Sequence, residues 1–112
     1  MDISQTGPEV KPAPALRDRL PNRRASQNVA FERDNLKYHM TIGLYPDGRP
    51  GEIFLNAGHA NSLLDVMAHD AAILASIALQ FGCPLDTIRH AIKRDSSGTA
   101  ASPIGAALDL IR

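Results

Sequence analysis

Residues 38–80, YHMTIGLYPDGRPGEIFLNAGHANSLLDVMAHDAAILASIALQ, decide the fold class: an alternating strand pattern turns sharply, returns, and runs into one long apolar helix. Working back from Tyr38, the residues Leu36, Tyr38, Met40, Ile42 and Leu44 share one strand face, and Lys37, His39, Thr41 and Gly43 share the other. Pro46-Asp47-Gly48 supplies a turn, because Pro presets φ and Gly tolerates φ > 0. Residues 51–56, GEIFLN, return as the next strand. Further upstream, Val29 and Phe31 alternate with polar neighbours from Ser26 until Asp34-Asn35 closes a first hairpin. The expectation is a three-stranded antiparallel meander with one buried and one polar face.

Such a sheet needs a cover, which Ser62 to Phe81 provides as a helix of about 30 Å. Ser62 with Asp65 three residues on resembles a capping box, and Gly82 followed by Pro84 gives a stop. Its polar residues Ser62, Asp65, His69, Ser76 and Gln80 line a narrow stripe at spacings of 3, 4, 7 and 4. Apart from Asp70 the remainder is apolar, more than one face requires, so the helix is expected to pack against the sheet on one side and other helices or another subunit on the other. Asp70 projects about 140° from Asp65, towards the apolar side, which predicts a buried carboxylate paired with Arg23, Arg24 or Arg49. Pro84 to about Arg94 reads as a short second helix, with Leu85, Ile88 and Ile92 inward and Arg89, His90, Lys93 and Arg94 outward. After a polar loop from Asp95 to Ser102, with Ser102 also the N-cap, Pro103 opens a third helix. The fold class is therefore α+β, a three-stranded antiparallel meander covered by a long central helix plus two short C-terminal helices.

A chain of 112 residues is sized for one domain. Residues 1–23 read as a flexible arm, rich in proline and poor in large apolar side chains, and residues 24–112 as the folded domain. The stretch LRDRLPNRRAS holds Arg17, Arg19, Arg23 and Arg24 against one aspartate, a local net charge of +3 in a chain whose twelve basic and twelve acidic side chains otherwise cancel. A neutral chain has no overall bias towards nucleic acid or anionic membrane. A single cysteine, Cys83, excludes an internal disulfide and a thiolate-rich zinc site. Without an apolar leader or an uninterrupted apolar run of membrane length, the expectation is a cytoplasmic protein and no membrane partner.

The stretches YPDGRPGEIFLN (residues 45–56) and SIALQFGCPLD (residues 76–86) carry a resemblance. They look like the TSCPD domain, the C-terminal small domain of adenosylcobalamin-dependent ribonucleotide reductases. That family reads as a strand, a D-G turn, G-E-I-F, a long helix ending S-x-x-L-Q-x-G, and V-P-L-E. Stand-alone proteins of this size that open on an N-R-R-A-S-like segment and close on an S-P-I-G-A-A-L-D-L-I-like helix resemble the chain along almost all of its folded part. The resemblance implies the family's α+β fold and an association with adenosylcobalamin, while no cofactor is expected on these residues themselves. The reductase's catalytic barrel needs several hundred residues beyond these. The Thr/Ser-Cys-Pro-Asp motif and the terminal cysteine pair are also missing. Cys83 stands where the family more often has Val, and reads as a small apolar residue between two helices.

No catalytic residue and no metal ligand are assigned. Asp65 and His69 lie i, i+4, with His59 upstream and Asp70 adjacent, a spacing that permits a metal but fits a plain polar stripe with one Asp–His pair better, since no H-E-x-x-H or Cys/His framework accompanies it. The basic groups Arg19, Arg23 and Arg24 and, separately, Arg89, Lys93 and Arg94 would hold phosphates or a partner if the fold joined them, with Ser96 to Thr99 adding backbone donors. Against this, a P-loop signature and aromatic stacking platforms are absent. The absence of G-x-S-x-G likewise argues against a serine hydrolase. The preferred reading is a non-catalytic accessory or protein-interaction module. Its expected partner is another protein, a ribonucleotide reductase among the candidates, or a second copy in a homo-oligomer, with a link to deoxyribonucleotide metabolism. The alternatives are a nucleotide- or nucleic-acid-binding regulator using the arginine arm, and a small metal-dependent enzyme built on His59, Asp65, His69 and Asp70.

Overall fold

The computed structural model describes residues 16–112. Three strands, β1 (Ser26–Arg33), β2 (Leu36–Leu44) and β3 (Pro50–Ala57), form an antiparallel sheet in the order β1-β2-β3, followed by helices α1 (Leu63–Gln80), α2 (Leu85–Ala91) and α3 (Pro103–Asp109). The α+β architecture is the expected one. The β1–β2 turn places Asp34 and Asn35 at φ of 53° and 62°, the left-handed pair that matches strand twist in a two-residue hairpin. In the second turn Gly48 sits at φ 92°, and Asp47 accepts the Arg49 amide.

The register sets Val29 opposite Met40, Met40 opposite Leu55 and Ile42 opposite Ile53, so the buried face is continuous across the three strands. The other face carries Asn28, Thr41, His39, Asn56 and Lys37, as the alternation requires. Met40, Ile42, Ile53, Leu55 and Leu108 are the largest fully buried side chains. Sheet and C-terminal helices thus share one core.

The side of α1 that meets this core is unusual. It packs chiefly along β3, and its buried positions are Ala68, Ala72, Ala75 and Leu79 together with Asp65, Ser76 and Gln80. The polar stripe therefore faces inward, and the larger apolar side chains Leu63, Val66, Met67, Ile73, Leu74 and Phe81 face outward. Alanines let the helix approach the strand closely, and the polar side chains find partners on it. The ends of α1 are as expected: Ser62 caps the Asp65 amide, and Gly82 at φ 94° turns the chain back so that its amide and that of Cys83 bond to the last turn.

Residues 16–25 run along the body. The Asp18 amide donates to the Gln80 carbonyl, the Tyr45 hydroxyl to the Asp18 carbonyl, and the Leu44 amide to the Ala25 carbonyl. Residues 16–23, assigned to the arm from composition, are thus tied down from Arg17 onward; residues 1–15 lie outside the described part.

At the other end, α2 is shorter than its sequence pattern, because Ile92 turns to extended geometry and Arg94 bridges to Ala100. Ser102 caps α3 by accepting the Gly105 amide.

Candidate interaction surface

Three groups of side chains stand out in the sequence, and the structure gives each a different surrounding. The first is the polar stripe of α1. Strand β3 lies at the sheet edge, and an unpaired edge presents free N–H and C=O groups to any passing strand. The stripe covers that edge. Asp65 accepts the Ala57 and Asn61 amides through its two carboxylate oxygens, at 2.9 Å each. The Ser76 hydroxyl accepts the Ile53 amide at 2.7 Å and lies against the Ile53 and Ala72 carbonyls. Gln80 donates to the Gly51 carbonyl and accepts from Arg17. Backbone donors from Asn61 and Ala57 hold the Asp65 carboxyl below the usual carboxylate range, against the opposing effect of burial.

Asp65 and His69 are thereby separated in role. His69 is half-buried, and the hydrogen bonds of Asp65 are made with Ala57, Asn61 and Ser62 instead. Among the described residues, no three His, Cys, Asp or Glu side chains converge as a metal site would require, so His59, Asp65, His69 and Asp70 are not brought together. Asp70 departs from expectation. It is exposed, not buried; of its three expected partners, Arg24 pairs with Glu52 and Arg49 with Asp47, and Arg23 is itself exposed. The physical reason is the orientation of α1, whose apolar side is turned to solvent.

The second group is basic. Arg17, Arg19 and Arg24 line one polar pocket of about 200 Å³ with Glu52 and Gln80. Arg24 is bound to Glu52 at 2.6 Å and to the Pro21 carbonyl, and Arg17 to Gln80. Arg19 and Arg23 are exposed. The C-terminal set does not join this pocket. Arg89 turns inward, donating to the Leu108 and Ile111 carbonyls at the end of α3. Arg94 grips Asp109 with two parallel bonds of 2.7 and 2.8 Å, which pulls the Asp109 carboxyl below its usual range. Lys93 is exposed. The Ser97 and Thr99 amides, candidate phosphate donors, are already taken by the Asp95 carboxylate.

The third group is the outer apolar face of α1, which periodicity alone did not place. Leu63, Met67 and Leu74 are 76%, 62% and 68% exposed, and Val66, Ile73 and Phe81 extend the patch. Beside it, an apolar groove of about 270 Å³ opens between Leu74, Ala78, Ile88, Ile92 and Ile104. Exposed apolar patches of this extent mark interaction sites. The sequence signal was an excess of apolar residues over what one helix face needs.

With this geometry in place, the comparison with known proteins is direct. The sequence model of the TSCPD domain matches residues 11–109. The chain belongs to the TSCPD domain family. This TSCPD domain is similar to vitamin B12-dependent ribonucleotide reductases. It is 38% identical to the one from Rhodopirellula baltica over 72 residues, 64% of this chain and 7% of that protein. The Streptomyces coelicolor protein is 34% identical over 85 residues, 76% of this chain and 9% of its own length. That of Streptantibioticus cattleyicolor is 36% identical over 72 residues, 64% of this chain and 12% of its own. The chain thus spans only a small fraction of these relatives. No solved structure matches it significantly.

The residues that carried the resemblance meet in one joint of the TSCPD domain. The Tyr45 ring packs on Gly51, where a Cβ would lie 2.4 Å from it, and Glu52, Ser76 and Gln80 bind Arg24, Ile53 and Gly51. The family motif therefore has a structural explanation in this chain, the joining of residues 17–25, β3 and α1. Cys83 is half-buried beside Pro84, where α1 gives way to α2.

Proposed function

We propose that this TSCPD domain is a non-catalytic accessory or protein-interaction module of the cytoplasm, linked to deoxyribonucleotide metabolism through a ribonucleotide reductase or through assemblies of its own. One observation carries this reading: the outer side of α1 is apolar and exposed on a fold whose polar groups are otherwise matched. Among the described residues, no buried side-chain nitrogen or oxygen lacks a hydrogen-bond partner. A helix that satisfies its polar side against β3 and leaves leucine and methionine outside is built to be covered. Family membership supports the choice of partner, since the relatives are named as reductases of which this region is a small part. No adenosylcobalamin step is assigned to these residues.

The test is affinity capture from the native cell extract with the intact chain, scored by mass spectrometry for a ribonucleotide reductase. Recovery that is lost with Leu74→Glu supports the reading. Failure to recover a reductase at any bait concentration removes the link to deoxyribonucleotide metabolism.

A second reading rests on the pocket lined by Arg17, Arg19 and Arg24, whose cations suit a phosphate-bearing ligand. Glu52 and Gln80 occupy two of the three arginines, which makes it the weaker of the two. Deoxynucleotides that raise the melting temperature, with a response that vanishes in Arg19→Ala, would favour it.

A further inference from the structure

We infer that the outer face of α1 is the seam of a symmetric dimer, covered by the same helix of a second copy running antiparallel. The inference deepens the interaction-module reading and rests on it.

Leu63, Met67, Asp70, Leu74, Ile77 and Phe81 follow one another at intervals of 4, 3, 4, 3 and 4 residues. That is a repeat of 3.5, the period at which two helices keep one stripe in mutual contact along their length. The period selects a helix as the occupant. With 18 residues, α1 offers a straight seam of about 27 Å. Within the chain, residues 1–15 have Met1, Ile3 and Val10 as their only large apolar side chains and cannot supply a matching row. A second α1 has the required row, length and spacing.

The area also suffices. At roughly 150–200 Å² for a large side chain, the exposed fractions of Leu63, Val66, Met67, Ile73, Leu74 and Phe81 amount to roughly 600 Å² on each copy. Two such faces, with Val66 and Ile73 flanking the row and all six side chains fully covered, bury about 1,200 Å², the lower bound of a stable specific interface.

Asp70 decides the direction. In a parallel pair its carboxylate would face its own copy across the seam, two like charges in an apolar strip. In an antiparallel pair centred on Ala72, Asp70 stands opposite Leu74 of the second copy, Met67 opposite Ile77 and Leu63 opposite Phe81. The two carboxylates are then offset by four residues, about 6 Å along the axis, and can reach the solvent rim. The antiparallel arrangement also sets opposite helix ends side by side.

Sedimentation equilibrium of the intact chain, from micromolar to submillimolar concentration, tests this. A monomer–dimer equilibrium is expected. Met67→Glu and Leu74→Glu should each weaken it by about tenfold or more with unchanged far-ultraviolet circular dichroism, since both side chains are exposed in the single copy. Asp70→Leu, which completes the apolar row, should tighten it. In a Cys83→Ser background, mixing Leu63→Cys with Phe81→Cys chains should give a disulfide-linked heterodimer. A chain that stays monomeric throughout overturns the inference, as does a dimer indifferent to Met67→Glu and Leu74→Glu, or Leu63→Cys linking to itself. A monomer that still captures a reductase would sink self-pairing and spare the interaction-module reading. A dimer that captures none would spare self-pairing and sink the reductase link.

Discussion

Ser76 occupies a position in α1 where an apolar residue would ordinarily be expected to face a core, and its hydroxyl is bonded to both the amide and the carbonyl of Ile53. Replacing it by alanine leaves those two buried groups without partners, at a cost of about 1–3 kcal/mol. The expected readout for Ser76→Ala is a lower urea midpoint with an unchanged m-value, together with faster hydrogen exchange at the Ile53 amide. An unaltered Ile53 exchange rate would show that α1 does not cover the β3 edge through this residue. Asp65 is a second such residue. Asparagine in its place keeps one acceptor oxygen for two amides and turns an N–H₂ group towards the other, so Asp65→Asn should melt several degrees lower. Single residues of this kind were half legible. Asp34-Asn35, Ser62, Gly82 and Ser102 announce turns and caps because their chemistry acts on their own neighbours. Asp65, Ser76 and Gln80 were visible as a stripe, yet their partners lie on another element, so their direction was not.

At the scale of elements, the joint between residues 17–25, β3 and α1 is the part of the fold most dependent on a few side chains. Gln80 sits at its centre, donating to the Gly51 carbonyl and accepting from Arg17, while its own carbonyl holds the Asp18 amide. Gln80→Ala should loosen residues 16–20, and limited tryptic cleavage after Arg17 and Arg19 should become faster than in the parent chain. Cleavage at the same rate in both would mean that the Tyr45 hydroxyl and the backbone carbonyl of residue 80 anchor the segment without the Gln80 side chain. Composition pointed towards a loose segment here because proline and arginine bury little surface. Its hydrogen bonds run through the Asp18 and Ala25 backbone and from Arg17 and Arg24 to side chains on other elements, which composition does not register. Element type, by contrast, was readable throughout: period 2 for the strands, a long apolar run for α1, and Pro103 after Ser102 for α3.

Over the whole molecule, charge ties stability to pH in a definite direction. Asp47, Asp65, Asp95 and Asp109 are all held below the usual carboxylate range, Asp47 by the Arg49 amide and side chain, Asp65 by the Asn61 and Ala57 amides, Asp95 by Ser97 and Thr99, and Asp109 by Arg94. As pH falls, the unfolded chain binds protons at these groups before the folded one does. Their contribution is therefore complete above about pH 4 and lost as pH drops through the folded-state values. Tyr38 and Tyr45 shift upward because burial disfavours the phenolate, so theirs is present below about pH 10 and lost as pH rises through the folded-state values. Urea midpoints should accordingly form a plateau between these limits and fall on both sides, with a shallower acid limb in Asp65→Asn; an acid limb identical to that of the parent chain would exclude Asp65 as a contributor. The amino-acid sequence by itself determined the elements, their order, the antiparallel meander and the family, since these follow from local periodicity, turn chemistry and short motifs. Only the tertiary structure decided which side of α1 is inside. Hydrophobicity alone would turn Leu63, Met67 and Leu74 inward. The exposed edge of β3 requires donors and acceptors at close range, however, and alanines with Asp65, Ser76 and Gln80 meet that need, leaving the larger apolar side chains outside.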